Sequence, residues 1–290
     1  MYKLLDGRKT KEEIQEKIKN ELKTLADSQL PILGILQVGN LEESNIYIKH
    51  KLNIAHSLGL KTNFIKLEEN ATEKTIKEAI KKLNEETTGF IIQLPIQTNN
   101  VKNINDLLNE IKVEKDIDGL NEVNQKSNFV LNKKSFLPAT ALGIIILLKK
   151  YNIDFESMNI GVVGQSKIVG KPLSDFFEQS NARVRRYDIN TSKDDIYKND
   201  LIVVSTGSRG CLNDVKLKDN VILVDVGIHR IENKIVGDIE VDKIKESVSY
   251  LTPVPGGVGP MTIVGLILNL IKAFDIQNGT NIFSKIINEF

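Results

Sequence analysis

Short β-branched runs alternate with longer amphipathic stretches along most of the chain. A helix over residues 11–25 opens the pattern, and a largely apolar run at 32–38, ended by Gly39, predicts a buried strand. A helix over 44–58 stops at Gly59, followed by a strand at 62–67, a helix over 73–85, a strand at 89–94 and a short helix around 104–111. Residues 116–134 are polar and turn-rich and predict a connection, with a helix over 140–151 behind it. A second alternation follows, with strands at 159–163, 183–187, 201–205 and 221–225 and a helix over 172–179 after the first of them. A Pro/Gly loop at 253–260 leads into an apolar helix over 261–274. Helices alternating with short apolar strands indicate parallel α/β architecture. The expected fold class is therefore α/β with two domains, and the domain change falls near 118–145. Residues 1–139, completed by about 264–290, form the first domain and residues 140–263 the second, with the C-terminal helix packing back on the first.

Composition narrows the function classes. The chain has 290 residues, 41% hydrophobic and 27% charged, which is ordinary for a globular protein with ample core. A net charge of +1 gives no electrostatic footprint for nucleic acid or an anionic membrane. The aliphatic run at 142–148 is too short to span a bilayer, and the N-terminal segment turns polar before a secretory core can form. Cys211 is the single cysteine, which excludes an intramolecular disulfide and any Cys-paired metal site. A cytoplasmic location is the expectation.

The clearest binding signal is the run Gly164-Gln165-Ser166-Lys167-Ile168-Val169-Gly170, directly after the 159–163 strand. A Gly there permits a tight strand-to-helix turn, a small residue lets a phosphate approach the backbone, and the helix N-terminus supplies amide donors. The spacing is longer than G-x-G-x-x-G, so an ordinary βα turn competes with a dinucleotide turn. Two further strands end in small residues, at Thr206-Gly207 and at Gly227-Ile228, and can line a crevice at their carboxyl ends. Asp188 ends the second strand of this half, where an acid accepts ribose hydroxyls and favours NAD; a plain surface turn is the other reading. Arg185 and Arg186 precede it on opposite faces of the strand, so at most one can meet a 2′-phosphate directly.

Chemistry in the first domain is harder to select. Tyr47 and Lys51 stand at i and i+4 on one helix face, and a desolvated lysine can move protons near neutral pH. With 39 Lys and Arg in the chain, composition alone does not single out Lys51. Gln93 ends a fully apolar strand where ligands bind, or else caps a loop. Asp116 and Asp118 share an Asp-Gly turn, and no His or further acid nearby favours a metal. The Pro253–Pro260 loop exposes backbone at close range, or is a structural turn, with Thr262 placed to cap the next helix. His50 and His56 lie six residues apart on one helix and cannot share a site; neither they nor His229 are assigned a catalytic role.

Taken together, these segments resemble the bifunctional methylenetetrahydrofolate dehydrogenase/cyclohydrolase family, essentially end to end. The pieces are Ser44 with Tyr47 to Lys51, Gln93-Leu94-Pro95, Lys115 to Gly119, Val162 to Gly170, Asp225 to Ile228, and Thr252 to Thr262. The resemblance implies a folate-binding catalytic domain, a Rossmann-like NAD(P)-binding domain and a folate cleft between them, in a subunit that is usually a homodimer. It implies oxidation of 5,10-methylene-tetrahydrofolate to the methenyl cation by NAD(P), then hydrolysis to 10-formyl-tetrahydrofolate. By similarity Lys51 is the proton-transfer residue, Gln93 positions and tunes it, Tyr47 packs on the folate, and Asp118 binds the pterin. Pro255 and Gly256 would border the folate, while Gly164, Gln165, Ser166 and Ile228 would meet the dinucleotide, to which the strand-end positions add Asp188 and Gly207.

The chain also departs from the family pattern. Pro138-Ala139-Thr140-Ala141 replaces a Pro-Cys-Thr-Pro run, and Gln97 replaces a common Pro. Gln165 stands where many NADP-using members have Arg, and Asp188-Ile189 stands where a His-Ser-type pair is usual. NADP is the family default, whereas Asp188 and Ile189 lean toward NAD. Competing readings are an amino-acid-type nicotinamide dehydrogenase and a non-catalytic dinucleotide-binding protein.

Overall fold

A computed structural model describes residues 2–127, 134–232 and 234–289. Part of the predicted 116–134 connection, residues 128–133, lies outside the described residues.

Two parallel sheets organise the chain. The first has the order β3-β2-β4, built from β2 (Ile32–Val38), β3 (Lys61–Leu67) and β4 (Gly89–Ile92). β2 is central and buried along nearly its whole length, which is why it reads as an apolar run broken only by Gln37; β3, at the edge, alternates exposed and half-buried positions. Its connections are α2 (Glu42–Ser57) and α3 (Glu73–Glu86). Helix α3 starts where the Thr72 side chain accepts the Thr75 N–H at 3.2 Å, and it buries Ile76, Ala79, Ile80 and Leu83 along one stripe. Helix α1 (Gly7–Leu22) is capped by Asp6 and buries Ile14, Ile18 and Leu22.

The second sheet has six parallel strands in the order β1-β11-β8-β7-β5-β6. Its centre is β5 (Asn159–Val163), β7 (Leu201–Val204) and β8 (Val221–Asp225), with β6 (Arg183–Tyr187) at one edge. Helix α7 (Gly170–Gln179) follows β5, and an antiparallel hairpin of β9 (His229–Ile231) and β10 (Lys234–Val236) follows β8. The other edge is β11 (Val248–Leu251) with β1 (Lys3–Leu4). β1 pairs Leu4 with Leu251, so the chain begins in the second sheet before α1 carries it to the first.

Two apolar helices join the halves. α6 (Ala139–Lys150) and α8 (Val258–Asn278) are buried nearly all round and pack on each other, and α8 also packs on α1 and β4. The C-terminal helix thus returns to the first domain as expected. By length and composition α8 could cross a bilayer, unlike the shorter run considered from sequence, yet most of its apolar surface is spent inside the protein. Asn269 in α8 donates to the carbonyls of Ile117 and Leu137, both at 2.8 Å, and so pins the Asp116–Gly119 turn to the joint. A last helix, α9 (Ile282–Ile287), folds against α8 and α1.

Candidate active site

The carboxyl end of the first sheet places a lysine against a carboxamide. Helix α2 turns Ser44, Ile48 and Ala55 inward, and Lys51 reaches past this face into a cleft between the domains. Gln93 follows β4 directly; its N–H donates to the Leu36 carbonyl at 2.8 Å, which continues the β2–β4 ladder by one residue. Lys51 Nζ donates to Gln93 Oε1 at 2.9 Å, and Gln93 Nε2 donates to the Leu94 carbonyl at 2.9 Å. The second bond fixes the amide so that its oxygen faces the amine.

Asp118 comes to the same cleft from the turn after β4. Its neighbour Asp116 is fully buried and forms an isolated bridge with Phe90. Asp116 Oδ2 accepts from the Asn121 N–H and from Asn124 Nδ2, both at 2.8 Å. The two aspartates therefore do different things: Asp116 shapes the turn, and Asp118 faces the ligand space. Burial pushes Asp116 up to about 6. Lys51 is half-buried, and burial lowers its pKa, opposed by the field of Asp118. Asp118 is raised by burial, opposed by Lys51. Desolvation outweighs attraction on both sides, which favours a neutral amine.

The cleft measures about 330 Å³ and is shared by both domains. Tyr47, Lys51, Gln93 and Asp118 line it from the first domain, and Ile228 lines it from the second. Tyr47 leaves 47% of its surface open, so a flat ring can stack there. The structure thus gathers all four proposed catalytic residues around one space. Pro255 and Gly256 are not among the lining residues. The loop reaches the cleft a little later, through Val258 and Gly259, while the Gly256 carbonyl accepts the Arg8 N–H at 3.0 Å. Thr262 is not a cap, because α8 starts at Val258. It sits inside the helix, lines the cleft, and lies 3.2 Å from the Thr140 hydroxyl. Thr140, Thr262 and Ile263 were not singled out for the cleft from sequence; hydroxyl and aliphatic side chains on apolar helices carry no separate signal.

The dinucleotide candidates lie along the second sheet; Ile228 lines the cleft, whereas Gly164, Gln165, Ser166, Asp188 and Gly207 are not among its lining residues. Gly164, Asp188, Gly207 and Ile228 follow β5, β6, β7 and β8 at their carboxyl ends, the edge where ligands bind in open α/β sheets. Gly164 takes φ +93°, and a Cβ there would lie 2.3 Å from the Ser205 carbonyl oxygen; one on Gly170 would meet the Gly164 carbonyl. This is a close-packed turn that only glycine completes. Gln165 folds back, its Nε2 donating to the Val162 carbonyl at 2.9 Å, and the Ser166 carbonyl accepts the Lys171 N–H at 3.0 Å. A Cβ at Gly207 would meet nothing within 4 Å, so the backbone there is open to a ligand. The turn and the open backbone suit a dinucleotide.

A polar network behind these loops was not foreseen. Asp238 is fully buried and accepts the N–H groups of Thr206 and Gly207 at 2.8 and 3.0 Å, the Thr206 hydroxyl at 2.9 Å, and His229 Nε2 at 2.7 Å. Asp225, raised to about 6 by burial, accepts the N–H groups of Gly227, Asp238 and Ile239. His229 thereby joins the loop after β7 to the strand end that carries Ile228.

Comparison with known proteins agrees with this geometry. The family model described as the tetrahydrofolate dehydrogenase/cyclohydrolase catalytic domain matches residues 5–118. The model described as the NAD(P)-binding domain of the same family matches residues 138–278. The bifunctional protein FolD of Metamycoplasma arthritidis is 45% identical over 276 residues, covering 95% of this chain and 94% of that protein. The cytoplasmic C-1-tetrahydrofolate synthase of Homo sapiens is 36% identical over 93% of this chain and 30% of its own length. A crystal structure of FolD methylenetetrahydrofolate dehydrogenase/cyclohydrolase from Campylobacter jejuni superposes with a TM-score of 0.89 at 34% identity, covering 96% of this chain and 100% of that one. None of these relatives supports an amino-acid-type dehydrogenase. With both domain models matched in order and full-length relatives well above 30% identity, the chain belongs to the tetrahydrofolate dehydrogenase/cyclohydrolase family.

Proposed function

We propose that the Lys51–Gln93–Asp118 cleft carries both reactions of the family, with Lys51 as the proton carrier. The protein is a methylenetetrahydrofolate dehydrogenase and methenyltetrahydrofolate cyclohydrolase, converting 5,10-methylene-tetrahydrofolate to the methenyl cation and then to 10-formyl-tetrahydrofolate. The observation that carries the residue roles is the 2.9 Å contact between Lys51 and Gln93, in a cleft that Asp118 and Ile228 also line.

A nicotinamide dinucleotide, NADP or NAD, supplies the hydride acceptor when bound. The chain's part in that step is orientation: Tyr47 stacks the folate, Asp118 holds the pterin, and Ile228 sets the facing wall. Gly164, Gln165, Ser166, Asp188 and Gly207 would hold the dinucleotide along the strand ends, and Pro255 and Gly256 set the path by which Val258 and Gly259 enter the cleft. In the hydrolytic step Lys51, neutral through burial, takes a proton from the attacking water. The hydroxyl proton of the adduct then moves to the ring nitrogen as its C–N bond breaks, and Lys51 releases the first proton to solvent. The methenyl cation itself disfavours a neighbouring ammonium, which reinforces the neutral amine. Gln93 accepts from the amine and aims it.

The same reading takes the protein as a cytoplasmic homodimer that binds neither nucleic acid nor membrane and needs no metal. Its near-neutral charge and the cytoplasmic human relative support this. The test is direct: purified protein given methylene-tetrahydrofolate with NAD or NADP should form reduced nicotinamide, and given methenyl-tetrahydrofolate should consume it above background. Silence in both assays overturns the assignment.

A further inference from the structure

The choice of dinucleotide is open in the family description, and the end of β6 bears on it. Strand register sets Tyr187 opposite Val163, and the Gly164 N–H donates to the Tyr187 carbonyl at 2.8 Å. Asp188 therefore stands beside the Gly164 turn, at the strand end over which the adenosine ribose lies in this architecture. Its Oδ1 accepts the Asn190 N–H and the Thr191 hydroxyl, both at 2.8 Å. These bonds hold the carboxyl below the usual aspartate range, and Oδ2 receives no hydrogen bond among the described residues. The carboxylate is charged, oriented and open.

The groups that would welcome a 2′-phosphate are turned elsewhere. Arg186 donates to Asp175 and Glu178 on α7, both at 2.7 Å, and again to Glu178 at 3.1 Å. Arg185 points to the opposite face, 3.4 Å from Asp195 and over the Tyr187 ring. Gln165 spends its amide on Val162, and Ile189 is 98% exposed with no polar atom to offer. Lys193, five residues past Asp188, is a cation that a phosphate could still meet, and its field reaches the thiol of Cys211, beyond the β7 loop.

We propose that this chain selects NAD over NADP, with Asp188 as the discriminating residue: its free oxygen accepts the ribose hydroxyls, and its charge repels a 2′-phosphate. The inference rests on the dinucleotide reading of the Gly164–Gly170 loop. A 2′-phosphate carries about −1.5 to −2 charges near neutral pH, so repulsion at a few ångströms is worth about tenfold or more in affinity even in a watery setting.

Calorimetric titration of the unliganded protein with NAD and with NADP reads this without turnover. The expected result is NAD tighter by about tenfold or more. In Asp188→Ser, NAD should weaken and NADP should strengthen, so that the preference narrows or inverts; circular dichroism checks that this surface variant is folded. Equal or tighter binding of NADP by the unmodified protein overturns the proposal. So does an Asp188→Ser protein with an unchanged preference, or NADP binding that is lost in Lys193→Ala. Tight NAD binding with neither oxidation of methylene-tetrahydrofolate nor hydrolysis of methenyl-tetrahydrofolate would overturn the folate reading and leave this inference standing. Oxidation with NADP alone would do the reverse.

Discussion

Replacing Gln93 by Glu should disable the lysine by charging it. The substitution puts a carboxylate oxygen where Lys51 Nζ now meets a carboxamide oxygen at 2.9 Å. Two unit charges at that separation attract by about 6 kcal/mol at an effective dielectric near 20, and by about 1.4 kcal/mol in bulk water. The cleft lies between these limits, and even the lower one favours the ammonium by about tenfold. In the native protein burial lowers the Lys51 pKa and Asp118 opposes that shift. A second carboxylate against the amine reinforces the opposition. The base form then appears only at higher pH. The hydrolysis rate of methenyl-tetrahydrofolate at pH 7 should fall by about tenfold or more, and the rising limb of the pH–rate profile should move upward. Gln93→Met is the control: like Glu, it loses the Nε2 bond to the Leu94 carbonyl, but it adds no charge. It should slow the reaction without an upward shift. A Gln93→Glu profile that overlays the native one, or moves to lower pH, would refute the proposed role of the amine.

Two further substitutions test the supports of the site. In Gly164→Ala the new Cβ meets the Ser205 carbonyl at 2.3 Å in a φ of +93°, so the backbone conformation alone should cost about 1–3 kcal/mol. Thermal unfolding should show a lower Tm and calorimetry should show lost dinucleotide binding; an unchanged Tm would mean that the turn is not rigid. Asp116 is pushed from 3.8 up to about 6 by burial, a difference worth about 3 kcal/mol. Because the folded carboxyl binds its proton more tightly than the unfolded one, its contribution is full below about pH 4 and is lost as pH rises through about 6. Relative to the native protein, Asp116→Asn should therefore gain about 3 kcal/mol between pH 4 and pH 7.5 in urea unfolding. A stability difference that does not vary with pH would contradict this.

Much of the architecture is written in local pattern, and the departures have physical causes. β4 is apolar throughout and β2 is apolar but for Gln37, because a parallel sheet covered on both faces leaves no polar side, and that pattern is visible in one dimension. β1 spans two residues and gains its identity only by pairing with β11 across almost the whole chain. The β9–β10 hairpin has only three residues in each strand. α9 has six residues, and its first N–H groups are received by Asp275 of α8, at 3.0 Å from Ile282 and 2.7 Å from Phe283; its cap lies outside its own segment. α8 begins three residues before the predicted start because Pro260 is tolerated in the first turn, where its missing N–H has no partner to lose. That shift is what moves Thr262 from cap to cleft.

The site divides in the same way. Helical spacing joins Tyr47 to Lys51, but Lys51 and Gln93 meet only through the register of β2 and β4 and the seating of α2. No composition argument distinguishes Lys51 among the basic residues; the family motif does, and desolvation in the fold supplies its reason. The Asp238 network was invisible because each partner comes from a different loop. It becomes legible only when β7, β8 and the hairpin are side by side.

The most direct test of the central claim is the hydrolysis of methenyl-tetrahydrofolate by Lys51→Met, on protein shown to be folded and to bind a folate. The rate should drop by at least about 100-fold, toward the uncatalysed background, since the group that moves the protons is gone while the cleft keeps its shape. Hydrolysis at the native rate would mean that the protons travel through some other group and that the Lys51–Gln93 contact is only structural.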